Sequence, residues 1–336
     1  MVALYVTSLE RGSGKTTVCA GLGQHLLSTG KKIGFFKPVI ADSKNQPAAG
    51  ADSDAAFMKH LLALEEPLDL LCPVFNNQST LTQGIKEAYA RVSQGKDVVM
   101  VEGVSEQSQA SHALVATLDA RVIIVAGDAK ELLKAIDRYQ GLGRHLLGVV
   151  LNKVPGSRLE QVRGELSTQL IKAGVNMLGV LPEDRTLFAL TVGELAEHLQ
   201  GEVLSGAEKS AELVENLMLG AMSVDPGPAY FSRKANKAVV IRSERPDMQL
   251  AALETSTRCL ILTGQTAPNP AVVYRAAEKK VPIILARDEL TAVVTNIEEA
   301  LGKTRFNQAN KLPKLAEIME QHFSFQAVSK GLGLAG

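Results

Sequence analysis

Residues 8–17 read Ser8-Leu9-Glu10-Arg11-Gly12-Ser13-Gly14-Lys15-Thr16-Thr17, and the second half of that stretch is the close of a phosphate-binding loop. The pattern G-x-x-x-x-G-K-[ST] asks for a glycine where Leu9 stands. A Gly-rich turn that opens a helix still offers what phosphate oxygens need: backbone N–H groups, a lysine charge and a hydroxyl for Mg2+. Upstream, VALYVT (2–7) is a short apolar run, and downstream 15–29 has a helical texture. Strand, loop and helix in that order are the setting the motif requires. Gly12, Ser13, Gly14, Lys15, Thr16 and Thr17 are therefore the expected phosphate contacts, with Lys15 the first expected catalytic group.

Working outward, the alternation continues. KIGFFK (32–37), DVVMVEG (97–103), ARVIIVAG (120–127), LLGVVLNK (146–153) and NMLGVLPE (176–183) are short aliphatic runs bounded by Gly, Pro or charge. Such runs are strands buried on both faces. Helical stretches at 52–64, 80–93, 107–117, 129–140 and 158–173 lie between them. The alternation predicts a parallel sheet with helices on both faces. After Pro182 the texture changes. Residues 191–222 read as two helices around a short EVL strand, with Met218 and Met222 of the second turned to the core or an oligomer interface. The Pro/Gly-rich SVDPGPAYF follows. Then KAVVIRS (237–243), TRCLILTG (257–264) and VPIILAR (281–287) alternate with helical 247–256 and 271–280, a second and smaller α/β domain. Residues 311–323 have the spacing of an amphipathic closing or partner-facing helix, and SKGLGLAG reads as a loose tail.

Across 336 residues, 36 Lys plus Arg balance 36 Asp plus Glu, which argues against nucleic acid or an anionic membrane as partner. The chain is 46% hydrophobic without Trp, the make-up of an aliphatic α/β core. Cys19, Cys72 and Cys259 are far apart and form no C-x-x-C pair. Neither a disulfide framework nor structural zinc is expected, and a reducing, cytoplasmic location is. No uncharged run reaches the roughly 18 residues of a membrane span, and the opening run is too short for a signal peptide. The six histidines are scattered without metal-ligand spacing.

Three features outside the loop complete the expected site. Lys37, in FFKPV, ends a strand and so points into the crevice where open α/β sheets bind ligands; it is the second expected catalytic group. Asp54 lies in GADSDAAF, and Glu102 follows DVVMV at a strand end. With Thr16 they make a Mg2+ set of one hydroxyl and two carboxylates, a donor number that suits this ion beside phosphates and water. Glu10 and Glu106 are the candidates for a general base.

The order GKT, KPV, a downstream aspartate, VEG and LNKV resembles the dethiobiotin synthetases, a family that closes a ureido ring on a diamine and CO2 with ATP. In that family the loop begins one residue earlier, so Ser8 aligns with its opening glycine and Glu10 with a characteristic aspartate. The resemblance implies ATP and Mg2+ as cofactors. It places Gly14, Lys15 and Thr16 on the phosphates, Lys37 toward the γ-phosphate or substrate, Asp54 and Glu102 on the metal, and Asn152 on the adenine edge. It also implies a homo-oligomer, dimer or higher. Two segments depart from the family: EGVSEQSQ, with Glu106, replaces a small Gly-rich run, and IADSKNQPAAG follows the KPV lysine. Pocket contacts decide what a synthetase accepts, so dethiobiotin synthesis itself is not expected.

LGVLPEDRTLFALTVGELAEHLQGEVLSG resembles more closely the amino-terminal half of long bacterial phosphotransacetylases, where a synthetase-like domain is followed by a DRTGG domain. The two turns that name that domain align with Ser243-Glu244-Arg245-Pro246-Asp247 and Thr263-Gly264-Gln265, with Gln265 in place of the second glycine. The resemblance spans about residues 1–305. It implies an α/β architecture: a parallel-sheet P-loop NTPase (dethiobiotin synthetase-like) domain at 1–185, then a smaller α/β DRTGG-like domain at 186–305. A C-terminal helix and tail fill 306–336. The sequence carries no counterpart of those enzymes' acetyl-transferring half. The expectation is thus an ATP- and Mg2+-binding protein with a regulatory or sensing role and no acetyltransferase activity. The alternative is an ATP-dependent ligase of the dethiobiotin synthetase type acting on another small molecule. A third reading, an interaction module with a vestigial loop, is opposed by the retained Lys15, Thr16, Asp54 and Glu102. The expected partners are the nucleotide and an unidentified small-molecule effector or substrate. Arg242 and Arg245 are candidates for clamping an anionic ligand.

Overall fold

Each apolar run of the amino-terminal half is a strand in one sheet: β1 (Val2–Ser8), β2 (Ile33–Phe36), β5 (Val98–Ser105), β6 (Arg121–Ala126), β7 (Leu146–Val154) and β8 (Met177–Pro182). Two short strands, β3 (Val39–Ile40) and β4 (Val74–Phe75), pair with each other instead. The computed structural model describes residues 1–40, 52–75, 81–105, 109–137, 141–221 and 227–334. The large sheet has the order β2-β5-β1-β6-β7-β8, and every pair in it is parallel. Leu4, Val6, Val99, Met100, Ile123 and Val150 are fully buried, as strands covered by helices on both faces must be. Because β1 is interior, the loop after it opens at the carboxyl edge between β5 and β6. Helix α1 (Lys15–Ser28) follows that loop, and α2 (Ser53–Leu61) begins at Asp52, whose side chain caps it by accepting from Ala55 N at 2.8 Å.

Met1–Glu183 together with Phe306–Gly336 form one unit, and Asp184–Arg305 form another. The returning segment belongs to the first: helix Leu312–His322 buries Leu315, Ile318 and Met319 and packs on α1 and β8. The expectation of a loose tail needs correction. Residues Phe325–Gly331 are helical, Val328 and Leu332 are buried, and the Phe325 ring stacks on His25 of α1 at 3.7 Å between centroids.

In the second unit, β12 (Asn216–Gly220), β13 (Lys237–Arg242), β14 (Thr257–Thr263) and β15 (Ile283–Ala286) run parallel, and β10 (Glu202–Ser205) is an antiparallel edge on β15. Helices Pro246–Leu253 and Pro270–Lys279 cover one face through Met248, Leu253, Val272 and Ala276. Helices Val192–His198 and Leu290–Lys303 cover the other through Leu195, Leu199, Val293 and Ile297. The second helix expected within 191–222 is absent. Its place is taken by β11 (Leu213–Val214), paired with β9 (Leu190–Thr191), and by β12. Met218 and Gly220 are buried at alternate positions of β12, a period-2 pattern that pairing with β13 selects over the helical one. Met222, the IADSKNQPAAG segment from Ala41 to Gly50, and Glu106 lie outside the described residues.

Candidate functional site

The loop between β1 and α1 turns on two glycines. Gly12 has φ +75° and Gly14 has φ +98°, in the left-handed region that glycine enters without a Cβ penalty. Leu9 lies outside that region, so its backbone makes no demand for glycine, and the departure from the common pattern leaves the turn intact. Ser8 is wholly buried at the end of β1; its Oγ donates to the Glu10 carbonyl (2.8 Å) and accepts from Lys15 Nζ (3.0 Å). Burial holds the Lys15 ammonium below the usual lysine range, with the Glu102 charge pulling the other way. No side chain caps α1 and its own first turn holds no acid, so the positive end of its dipole lies at the loop.

The β1–β5 register sets Val6 opposite Glu102, which brings that carboxylate to the first turn of α1. Thr16 Oγ1 donates to Glu102 Oε1 at 3.1 Å. Gly103, next in β5, has to be glycine: a Cβ there would stand 2.4 Å from the Tyr5 ring. Lys37, at the end of β2, reaches the same place. Its Nζ lies 2.9 Å from Asp52 Oδ1, 2.9 Å from Asp54 Oδ2 and 3.4 Å from Glu102 Oε1. Burial would lower the Lys37 pKa, but Glu102, Asp54 and Asp52 outweigh it and hold the group above the usual lysine range. Glu102, only 3% exposed, is held above the usual carboxylate range by burial, against the pull of Lys37.

Three carboxylates thus meet one ammonium, and Glu102 Oε2 is buried with no hydrogen-bond partner. That orphaned oxygen, the Thr16 hydroxyl and the Asp54 carboxylate are hard oxygen donors of the kind Mg2+ takes, so the residues fit the ion. Among the described residues no group of three or more His, Cys, Asp and Glu side chains is arranged to hold a metal by itself. A phosphate-site Mg2+ needs no such group, since it draws on one or two carboxylates, a hydroxyl and the phosphates.

The structure gathers Gly12, Ser13, Gly14, Lys15, Thr16, Lys37, Asp54, Glu102 and Asn152 at one edge of the sheet. Thr17 is buried inside α1. Asn152 donates through Nδ2 to the Ser13 carbonyl at 2.9 Å, and a Cβ on Gly14 would lie 2.1 Å from that nitrogen. Its amide nitrogen therefore shapes the loop. Glu10, a candidate base, accepts from Gly127 N at 2.9 Å and ties the loop to the end of β6. Asp52 is the residue that sequence reasoning missed. The signal was present in Asp52-Ser53-Asp54, where the first acid stands at an N-cap position. In the second unit Arg245 forms a two-bond pair with Asp247 (3.0 and 2.8 Å). Gly264 has φ +106°, and Gln265 donates to the Arg287 carbonyl at 3.0 Å, so it closes the turn with its side chain.

Residues 2–190 match the family model described as AAA domain, and residues 194–300 match the DRTGG domain. The phosphate acetyltransferase of Nitratidesulfovibrio vulgaris is 25% identical over 95% of this chain and 50% of its own length. The ATP-dependent dethiobiotin synthetase BioD of Caldicellulosiruptor saccharolyticus is 24% identical over 45% of this chain and 74% of its own length. Among solved structures, the MinC:MinD cell division protein complex of Aquifex aeolicus overlaps 56% of this chain and 84% of its own at 18% identity, with a TM-score of 0.39. The chain spans about half the length of the phosphate acetyltransferases it matches.

Proposed function

The chain belongs to the AAA domain family, and from that premise we propose that its first unit binds ATP with Mg2+ and that the protein has a regulatory or sensing role. The role is related to the part of the phosphate acetyltransferases that it matches, without acetyl transfer by these residues. The observation that carries the reading is the Thr16–Glu102 contact of 3.1 Å at the first turn of α1, beside the buried, unpartnered Glu102 Oε2. In this reading the loop amides of Gly12 to Thr17 and the Lys15 ammonium hold the phosphates. Thr16, Asp54 and Glu102 hold the Mg2+, which supplies positive charge to the phosphate oxygens when bound. Lys37 trades part of its carboxylate contacts for the phosphate end of the nucleotide. A homo-oligomer is part of the proposal.

The ligase alternative needs Lys37 turned toward a second substrate. In the structure its ammonium is engaged by Asp52, Asp54 and Glu102, and phosphate release with added diamine separates the two readings. Calorimetric titration of MgATP into the wild type and Lys15→Ala tests the reading, with phosphate release followed with and without an added diamine. Loss of one charge-assisted phosphate contact costs about 1.5–3 kcal/mol, roughly 10- to 150-fold in affinity. No binding by the wild type at millimolar ATP refutes the nucleotide site. Diamine-dependent phosphate release transfers the case to the ligase.

A further inference from the structure

We infer that both chain crossings between the two units are wired into the nucleotide site, with Phe306 a positioning residue that acts through Phe57 on the carboxylate end of α2. The inference rests on the nucleotide reading above and names how that site is regulated.

The second unit is an insertion: the chain leaves the first unit at Glu183 and re-enters it after Arg305. The return crossing is short: helix Leu290–Lys303 ends, Thr304 and Arg305 follow, and Phe306 is already at its seat. Phe306 is buried, with its ring edge-on to Phe57 (centroids 5.8 Å apart, planes at 86°). Phe57 lies in α2 less than one turn after Asp54. The same helix start carries Asp52 and Asp54, each 2.9 Å from Lys37 Nζ. A nine-residue helix moves as a stiff body, so a shift at Phe57 is felt at the two carboxylates that grip Lys37.

The same segment continues onto α1. Met319 seats on Gly21 so closely that a Cβ there would stand 1.9 Å from its sulfur, and Phe325 stacks on His25. One stretch leaving the second unit therefore packs on both helices that build the phosphate site. The outgoing crossing ends in the loop's supports as well. Glu183 N donates to the Val154 carbonyl at 2.8 Å. Lys153, beside it, holds φ +62° and lies in the field of Glu183 and of Glu10, the loop residue that binds Gly127 N. Asn152, one residue earlier, holds the Ser13 carbonyl. Each junction of the inserted unit thus touches a group that shapes the site. Simple closure of an apolar gap accounts for the burial of Phe306 but gives it no influence on nucleotide.

The test uses the full chain with MgATP as probe. It measures affinity by calorimetry and backbone hydrogen exchange across 290–303 for wild type, Phe306→Ala and Phe306→Leu. The expected result is that MgATP changes exchange in 290–303 of the wild type. Phe306→Ala weakens MgATP by on the order of 2- to 30-fold, the range of coupling effects, and abolishes that exchange response. Protection of α1 by MgATP persists, and Phe306→Leu, which keeps the bulk, restores both. If Phe306→Ala only lowers the melting temperature, with affinity and exchange response unchanged, the inference is overturned and the nucleotide site stands. If Phe306→Ala does not fold, Phe306→Val decides: weaker MgATP binding and a smaller exchange response across 290–303 uphold the relay, and wild-type values for both, or no exchange response in the wild type itself, overturn it. Absence of MgATP binding by the wild type overturns the nucleotide reading and this inference together.

Discussion

Replacing Lys37 by methionine keeps the stem that packs below the site and removes the ammonium, leaving Asp52, Asp54 and Glu102 facing one another. Breaking a buried ion pair from one side costs about 3–5 kcal/mol. Lys37 is 15% exposed and Asp52 23%, and this partial access to solvent lowers the expectation to about 2–4 kcal/mol. For a unit of this size each kcal/mol moves the melting temperature by about 2–4 °C, so Lys37→Met is expected to melt roughly 5–15 °C lower at pH 8. The loss should depend on pH with a definite sign. Burial already holds the Glu102 carboxyl above its usual range. A carboxyl whose folded pKa is raised takes up its proton in the folded state first, so lowering the pH toward the unfolded value near 4.3 favours folding. Without the Lys37 charge that rise is larger. The gap between mutant and wild type therefore narrows from pH 8 to pH 5.5. Millimolar Mg2+ should also raise the melting temperature of Lys37→Met more than that of the wild type, since the ion no longer competes with the Lys37 ammonium for Asp54 and Glu102. Thermal melts by circular dichroism at both pH values, with and without Mg2+, read all three effects. A mutant as stable as wild type at pH 8, or a loss that neither pH nor Mg2+ alters, refutes the electrostatic account of this site.

Gly14→Ala forces an L-residue to φ +98° and pushes the Asn152 amide from the Ser13 carbonyl. The strain of about 1–2 kcal/mol and a lost hydrogen bond of about 1 kcal/mol give roughly 2–3 kcal/mol in urea unfolding. Asn152→Ala alone should cost about 1 kcal/mol, and the double mutant less than the sum, because the alanine side chain then has room; strict additivity would show that the two do not touch. In the second unit, burial lowers the Lys237 pKa to about 8, and its Nζ donates to Thr255 Oγ1 (2.9 Å) and the Ser256 carbonyl (3.0 Å). The unfolded chain binds that proton up to a higher pH, so this lysine makes stability rise between about pH 8 and pH 10, and Lys237→Met should flatten the rise in urea midpoints. An unchanged slope in the mutant would place the pH dependence elsewhere.

The parts of the site legible in the sequence were those that follow from strand order alone. In a parallel sheet every strand delivers its carboxyl end to the same edge, so once KIGFFK, DVVMVEG and LLGVVLNK are strands, Lys37, Glu102 and Asn152 must lie near the loop of Gly12 to Lys15. Their partners do not follow from that rule. Whether Lys37 meets Asp54 alone or Asp52 as well depends on where α2 starts, and whether Asn152 faces a ligand or the Ser13 carbonyl depends on ångström-level closeness to Gly14. The misread elements share one cause. LVENLMLG carries apolar residues at spacings that serve helix or strand, and its choice is made by pairing with β13, a contact between separate segments that no local window contains. The end of the chain is ordered by partners distant in sequence: Gly331 lies against Leu147, and Leu332 is buried. Local pattern thus placed the chemistry at the sheet edge, while contacts distant in sequence decided which groups hold it there. Those same distant contacts, Phe306 on Phe57 and Met319 on Gly21, are where control of the site is to be sought.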